Sequence, residues 1–290
     1  MTIDILSYLG SKVLLADGAM GTMLQTAGLA PGEPSESWNL KYPDRVRTVH
    51  RAYYDAGARL ILTNTFGANP MKLLRSGLAE NFQEINQSGV SIAKNSVGPD
   101  AIIAGDIGPS GELPEPLGSA SIENLKDNFK KQAEVLAKAG ADIIIIETMI
   151  SLEEILCAVS GARSTGLRVI ASMSFDPAPS GFRTAMGVSV NDAATALTDA
   201  GADVVGTNCG WGIKEAVEII RQMRQIVTTP LIAKPNAGIP KLVSGKTVYE
   251  GTPEEMSRTV PELAKTGANI IGGCCGTTPG HIRAMKKELR

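Results

Sequence analysis

The chain has 290 residues, of which 43% are hydrophobic and 20% charged, a composition typical of a globular protein with a sizeable core. Its formal net charge of −2 gives no reason to expect a nucleic acid or an anionic membrane as a partner. The four cysteines are too few for a disulfide scaffold, the N-terminus lacks the pattern of a signal peptide, and the apolar runs are too short to cross a bilayer. We therefore expect a cytoplasmic protein.

Eight apolar runs, rich in β-branched residues, predict eight strands along the chain. Runs without polar alternation are typical of strands buried on both faces of a parallel sheet. In chain order the strands are expected within KVLLAD (12–17), AGARLILTNTF (56–66), AIIAGD (101–106), AGADIIIIET (139–148), RVIASMSF (168–175), AGADVVGTNCG (200–210), PLIAKPN (230–236) and TGANIIGGCCG (266–276).

Helical patterns fill the spaces between these runs. The pairs Ser151 with Glu154 and Thr252 with Glu255 match the capping box that begins helices. A glycine suited to a left-handed helix cap precedes four of the strands, at Gly57, Gly140, Gly201 and Gly267.

The alternation of eight strands with helices predicts a (β/α)₈ barrel, formed by residues 1–290 as a single domain. The competing fold is a doubly wound open sheet, but no G-x-G-x-x-G follows the first strand. The longest irregular tract, TAGLAPGEPSESWNLKYP (26–43), follows the first strand, and we expect it to form a loop over the barrel mouth.

Three of the four cysteines fall at predicted strand ends. Cys209 ends the sixth strand, and the doublet Cys274 and Cys275 ends the eighth. Barrel enzymes place their chemistry at the C-terminal ends of the strands, so these sulfurs can converge. Three thiolates suit a catalytic zinc with one open position, although inert buried thiols are the alternative. Cys157 lies on an apolar helix face, and we expect it to belong to the core.

A zinc ion bound by three thiolates points to chemistry on sulfur. Free thiols have a pKa of about 8.5, whereas a thiol bound to zinc is deprotonated. Such a site prepares a substrate thiolate to attack an electrophilic carbon. We infer alkyl transfer to sulfur.

Carboxylates also stand at the strand ends. Asp17 and Glu147 end the first and fourth strands, where two anions could hold the ammonium group of an amino acid. The alternatives are turn chemistry, a satisfied barrel rim, or an acid and base pair as in glycosidases. The glycines before the last helix could instead bind phosphate. His50 and His281 lie on helical segments, and we expect both at the surface.

An ordered set of motifs resembles the homocysteine S-methyltransferase family over nearly the whole chain. These are DGAMGT (17–22), TNTFGAN (63–69), GDIGPSGE (105–112), ETM (147–149), GTNCG (206–210), KPNAG (234–238) and GGCCGTTPGH (272–281). The tract NPMKLLRSGLAENFQEIN (69–86) most resembles the homocysteine domain of cobalamin-dependent methionine synthase.

The resemblance implies a (β/α)₈ barrel that methylates homocysteine to methionine. It implies zinc held by the three strand-end cysteines Cys209, Cys274 and Cys275, and that the side-chain oxygen of Asn236 fills the fourth position until homocysteine arrives. It also implies that Asp17 and Glu147 grip the amino acid end of homocysteine, with Thr65 nearby.

The methyl donor is the point at which the chain departs from its relatives. The sequence has no room for the folate and cobalamin modules and contains no D-x-H-x-x-G segment for corrinoid ligation. We therefore expect methylcobalamin on a separate corrinoid protein as the donor. Betaine is an alternative, for which Trp38, Tyr42 and Trp211 offer aromatic rings near the mouth. S-methylmethionine or S-adenosylmethionine is another. Methylation of a different thiol and a non-catalytic zinc or thiol sensor also remain open.

Overall fold

A parallel barrel forms the centre of the computed structural model, which describes residues 5–10, 12–243 and 246–289. The barrel strands are β1 (Leu14–Leu15), β2 (Leu60–Leu62), β3 (Ile102–Ile107), β4 (Ile143–Met149), β5 (Arg168–Met173), β6 (Val204–Cys209), β7 (Leu231–Pro235) and β8 (Ala268–Ile271). Each pairs in parallel with its neighbours in the order 1-8-7-6-5-4-3-2. A parallel bridge between Ala16 and Leu60 joins the first and second strands. The predicted (β/α)₈ barrel is confirmed, and the open sheet is excluded.

A helix follows each strand within the described part of the chain. These helices are α1 (Pro43–Ala56), α2 (Phe82–Ser96), α3 (Ile122–Lys138), α4 (Leu152–Arg163), α5 (Val190–Asp199), α6 (Ile213–Ile226), α7 (Pro253–Lys265) and α8 (Pro279–Glu288). Shorter helical segments are Ile5–Leu9, Gly21–Thr26, Ser35–Ser37, Trp38–Lys41, Pro70–Arg75 and Ala79–Asn81. Two hairpins extend the loops after β5 and β7: Asp176–Ala178 with Gly181–Arg183, and Lys241–Val243 with Lys246–Val248. No helix among the described residues is both long and apolar enough to span a membrane.

Local chemistry explains where the helices begin and end. The four glycines predicted as caps all have positive φ, at Gly57, Gly140, Gly201 and Gly267. The capping box of Thr252 and Glu255 is complete, with 3.2 Å and 3.1 Å hydrogen bonds. The box predicted at Ser151 is only half formed, because the Glu154 carboxylate accepts hydrogen bonds from Ser110 instead.

The core has two layers, because the strands are apolar on both faces. The barrel interior contains residues such as Ile143 and Ile145, whereas the alternate residues Ile144 and Ile146 pack outward beneath the helices. The helix Ile5–Leu9 packs onto the interior layer. Cys157 is buried in the outer layer, as predicted, and burial raises the pKa of its thiol.

Both histidines are buried, so the prediction that they lie at the surface is wrong. His50 lies four residues after Val46 and falls on the buried stripe of α1. Burial lowers the pKa of His50 to about 4, and neither ring nitrogen has a hydrogen-bond partner among the described residues. His281 Nδ1 accepts a hydrogen bond from the Thr278 N–H (3.1 Å), and its Nε2 donates to the Gly251 carbonyl (2.9 Å). This ring therefore ties the start of α8 to the loop after β7.

Candidate functional site

A cavity of about 350 Å³ opens at the C-terminal end of the barrel. The strand ends supply its polar wall, with Asp17, Thr63, Asn64, Asp106, Glu147, Thr148, Cys209, Lys234, Cys274 and Cys275. Of the tract 26–43 predicted to cover the mouth, Ser35 lines this cavity, and the preceding residues 17–22 contribute more of its wall.

The three strand-end cysteines come together in this cavity. Their sulfur atoms all lie within 4.8 Å of one another. Cys209 adopts a left-handed φ of +61°, which is strained for a residue other than glycine. The Cys274 N–H donates to the Pro235 carbonyl (2.8 Å), and the Cys275 carbonyl accepts from the Ala237 N–H (2.9 Å). These bonds extend the pairing of β7 with β8 and hold the doublet opposite Cys209.

The donor set fits a zinc ion. Zinc bound tetrahedrally at about 2.3 Å from each sulfur requires sulfur atoms about 3.8 Å apart, which is compatible with the observed cluster. The Asn236 side chain lies within hydrogen-bonding reach of Cys209. Its Nδ2 donates to the Gly210 carbonyl (2.6 Å), which leaves a buried Oδ1 with no partner among the described residues. Asn236 lines the neighbouring groove rather than this cavity, but an orphaned amide oxygen on a side chain that reaches Cys209 suits the fourth position of such a site.

The thiols also interact with one another. Hydrogen bonds from Cys274 and Cys275 lower the pKa of the Cys209 thiol to about 3. The same contact with Cys209 raises the pKa of Cys275. The cluster therefore holds one negative charge readily and the next with difficulty.

The two predicted carboxylates lie in the same cavity, with a lysine between them. Lys234 is 2% exposed, and its Nζ lies 2.9 Å from Glu147 Oε2 and 3.9 Å from Asp17 Oδ1. Asp17 Oδ2 accepts a hydrogen bond from the Leu62 N–H (2.8 Å), whereas its buried Oδ1 has no hydrogen-bond partner in the described structure. Burial raises the pKa of Asp17 to about 7 despite the charge of Lys234. Burial likewise raises the pKa of Glu147.

Two charged residues of this wall were not in the predicted site: Asp106, a strand-end residue that was given no role, and Lys234. Asp106 is 6% exposed, and its Oδ1 has no hydrogen-bond partner within the described ranges. Burial, and next the charge of Glu147, raises the pKa of Asp106 well above its ordinary value. Both residues carried a signal, since each lies two positions after an inward-facing apolar residue of its strand, Ala104 or Ile232.

Thr65 lies behind the wall and does not line the cavity. Its hydroxyl donates to the Asp106 carbonyl (2.7 Å) and lies 2.6 Å from the Thr63 hydroxyl. Thr63 Oγ1 in turn accepts from the Asp106 N–H (3.0 Å). The end of β2 therefore fixes the backbone of β3 at Asp106.

Asn208 joins three strand ends to the sulfur cluster. Its Oδ1 accepts hydrogen bonds from the Thr148 N–H and the Ser172 hydroxyl, each at 2.7 Å. Its Nδ2 donates to Thr148 Oγ1 (2.7 Å) and lies 3.8 Å from Cys274 Sγ. This side chain, too, was absent from the predicted site.

The aromatic residues considered for betaine do not line the cavity. Trp38 packs edge-on against Tyr42, with ring centroids 4.8 Å apart, and the Arg45 guanidinium already covers both rings. Trp211 lines a separate groove of about 640 Å³. Phe66 and Tyr249 are the aromatic residues in the cavity wall that the structure describes.

Sequence comparison relates the chain to known enzymes. The family profile described as "Homocysteine S-methyltransferase" matches residues 14–289. Methionine synthase of Mycobacterium tuberculosis (strain ATCC 25618 / H37Rv) is 33% identical over 301 residues, which cover 97% of this chain and 25% of the synthase. Betaine--homocysteine S-methyltransferase 1 of Danio rerio is 30% identical over 299 residues, which cover 96% of this chain and 73% of that protein.

Comparison of folds gives a consistent result. The metallated form of the homocysteine methyltransferase MmuM from Escherichia coli matches with a TM-score of 0.81 at 24% identity, covering 97% of this chain and 98% of that one. This likeness supports the barrel fold alone. The chain spans about a quarter of the length of the mycobacterial methionine synthases that it resembles. Because the family profile matches nearly the whole chain, this protein belongs to the homocysteine S-methyltransferase family.

Proposed function

We propose that this chain transfers a methyl group to the thiolate of homocysteine and forms methionine. The observation that carries the proposal is one cavity lined both by three clustered cysteine sulfurs and by buried carboxylates. A molecule with a thiol at one end and an ammonium group at the other matches both sets of groups. Membership of the family supports the same substrate.

The proposed metal is zinc, held by Cys209, Cys274 and Cys275. When bound, it would favour loss of the thiol proton and keep the substrate sulfur electron-rich. The thiol proton leaves to solvent, and a lone pair of the substrate sulfur forms the new bond to the methyl carbon. The bond between the methyl carbon and the donor breaks, and its electron pair stays with the donor. The chain therefore needs no general base at the moment of transfer. Asn236 Oδ1, buried without a partner in the described structure, is the protein oxygen proposed for the fourth position before substrate binds.

The carboxylates that line the cavity are proposed to orient the substrate. Asp17 and Glu147 would accept hydrogen bonds from its ammonium group, and Lys234 holds Glu147 in place through their 2.9 Å ion pair. Thr65 contributes indirectly in this proposal, because its hydroxyl fixes the neighbouring strand end at Asp106. Fixing both ends of the substrate keeps its sulfur in line with the methyl group.

We propose a methyl-corrinoid, carried by a separate protein, as the donor. The similarity to a mycobacterial methionine synthase supports a methyl donor shared with that enzyme. Betaine is the second candidate, which the similarity to a betaine--homocysteine S-methyltransferase favours. A quaternary ammonium is best held by aromatic rings, and the Trp38–Tyr42 pair is engaged by Arg45. Free cysteines at all four positions suit a reducing compartment, and we propose the cytoplasm.

The test combines metal analysis with turnover. Purified protein is assayed with homocysteine and one methyl donor at a time, which is methylcobalamin, betaine or S-methylmethionine. Its zinc content is measured by mass spectrometry. We expect one zinc ion per chain and methionine formation with one donor. Cys274→Ala should lose both zinc and turnover, whereas Cys157→Ala, which alters the buried core thiol, should keep both. A Cys274→Ala variant with full zinc and full methyl transfer would contradict the proposal. Zinc binding without turnover on any donor would favour a sensor.

A further inference from the structure

We infer that Asp106 is a third carboxylate of the ammonium subsite and determines its selectivity for thiols that carry a primary amine. This inference rests on the proposed function and adds a residue outside the predicted set. Asp106 lines the cavity, and it is buried with Oδ1 lacking a hydrogen-bond partner across the described residues. A buried carboxylate oxygen without a partner is costly, and a ligand that donates to it would remove that cost.

The surroundings of Asp106 hold it rigidly in the wall. Thr63 accepts from its N–H (3.0 Å), and Thr65 donates to its carbonyl (2.7 Å). Neither contact uses the carboxylate. The backbone at Asp106 is therefore fixed by residues at the end of β2, while its carboxylate remains available to a ligand in the cavity.

The charges of the cavity wall favour a cation. Three carboxylates line it, and among the described residues of this wall Lys234 is the one cation. Its Nζ lies 2.9 Å from Glu147 and 3.9 Å from Asp17. Lys234 therefore neutralises Glu147 most effectively, and the fully buried carboxylate oxygens of the wall that lack a hydrogen bond are Asp17 Oδ1 and Asp106 Oδ1.

The number of missing hydrogen bonds identifies the class of cation. A primary ammonium has three N–H donors and can bond to both orphaned oxygens, whereas a quaternary ammonium has none. A thiol that lacks an amine would leave both of these oxygens buried without a hydrogen bond. Sites with buried polar groups discriminate strongly against ligands that leave such groups unsatisfied. The subsite therefore selects amino acid thiols and does not suit the quaternary group of a donor such as betaine.

The experiment compares homocysteine with 4-mercaptobutanoate, which has the same carbon chain and no amine. Asp106→Asn is the test variant. Asp176→Asn is the matched control, because Asp176 also follows a strand end but is exposed outside the cavity. We measure kcat/KM for both thiols, calorimetric binding of both thiols to zinc-loaded protein, and the melting temperature.

For Asp106→Asn we expect kcat/KM and affinity for homocysteine to fall by about 10- to 100-fold, as for loss of a charged hydrogen bond, with little change for 4-mercaptobutanoate. The melting temperature should stay equal or rise, because the variant removes a buried carboxyl group whose Oδ1 has no partner in the described structure. Asp176→Asn should match the wild type. Equal losses for both thiols, or no change in selectivity, would overturn the inference.

Two further measurements keep the outcome decisive. Asp106→Ala, which is smaller, takes the place of Asp106→Asn if that variant does not fold, and the same change in selectivity is expected. Absence of turnover by the wild type on any donor would count against the proposed function, while calorimetric selectivity between the two thiols would still test Asp106. A wild type that binds both thiols equally would refute the ammonium subsite itself.

Discussion

Asp17→Asn should stabilise the ligand-free protein at neutral pH while damaging its activity. The Asp17 carboxyl has a pKa of about 7 in the folded protein, against an ordinary value of 3.8, because burial opposes its charge. A pKa difference of about 3 corresponds to roughly 4 kcal/mol of folding free energy. This value already includes the attraction of Lys234, so a neutral side chain of the same shape should recover most of it. The Leu62 N–H can still donate to the new amide oxygen.

The sign of the pH dependence follows from proton binding. Between about pH 4 and 7 the folded state binds more protons at Asp17 than the unfolded state does, so this group makes the wild type less stable as pH rises. Asp17→Asn lacks that slope. The stability difference between variant and wild type should therefore be near zero at pH 4, grow through this window and level off at roughly 4 kcal/mol above pH 7.

Urea unfolding of metal-free, reduced protein at several pH values between 4 and 8 measures this difference. Contributions from other titrating groups are shared by the two proteins and largely cancel. Asp176→Asn, at an exposed position, serves as the control and should show no such pH-dependent gain. The reasoning is refuted if Asp17→Asn is less stable than the wild type at pH 8, or if the difference does not change with pH.

Two other predictions follow from buried groups. Gly276→Ala should lose zinc affinity and stability, because φ is +79° and a methyl group there would overlap the Tyr249 ring in the cavity wall. Metal titrations and urea unfolding measure both losses. Gly166→Ala is the control, because Gly166 has the same φ and open space around it. His50→Leu should abolish an acid-induced loss of stability. Because burial lowers the pKa of His50 from 6.5 to about 4, the wild type should lose roughly 3 kcal/mol as pH falls through that window. A His50→Leu variant with the wild-type pH profile in urea unfolding would contradict this account.

The barrel could be predicted because its strands repeat one simple pattern. Each strand is apolar on both faces, and a glycine with positive φ precedes four of them, so strand number and direction follow from local chemistry. The convergence of Cys209 with Cys274 and Cys275 followed from their strand-end positions. The left-handed φ of Cys209 that places its sulfur in the cluster could not be predicted from strand alternation.

Strand alternation, if extended to the C-terminal ends of the strands, would have identified more of the charged residues that line the cavity. Ile145 faces the barrel interior, so Glu147, two residues later, faces the mouth. The same step leads from Ile232 to Lys234, which was missed. Leu62 leads to Asn64, which lines the cavity, whereas Thr65 does not. The distances across the barrel determine which charged groups form ion pairs. A local sequence pattern does not give these distances.

The buried atoms of the site that lack hydrogen-bond partners indicate which ligand groups could supply the missing bonds. Three of the buried side-chain atoms that lack a hydrogen-bond partner in the described structure belong to strand ends at the barrel mouth: Asp17 Oδ1, Asp106 Oδ1 and Asn236 Oδ1. Two are carboxylate oxygens that need a donor, and the third belongs to a side chain that contacts Cys209, one of the three clustered thiols. Each such atom costs stability, and the fold also retains orphaned atoms away from the mouth, as at His50, so it is the grouping of three at the strand ends that points to a ligand. Under the proposed function, an ammonium group and a metal would together remove this cost, and a zinc-bound amino acid thiol would supply both.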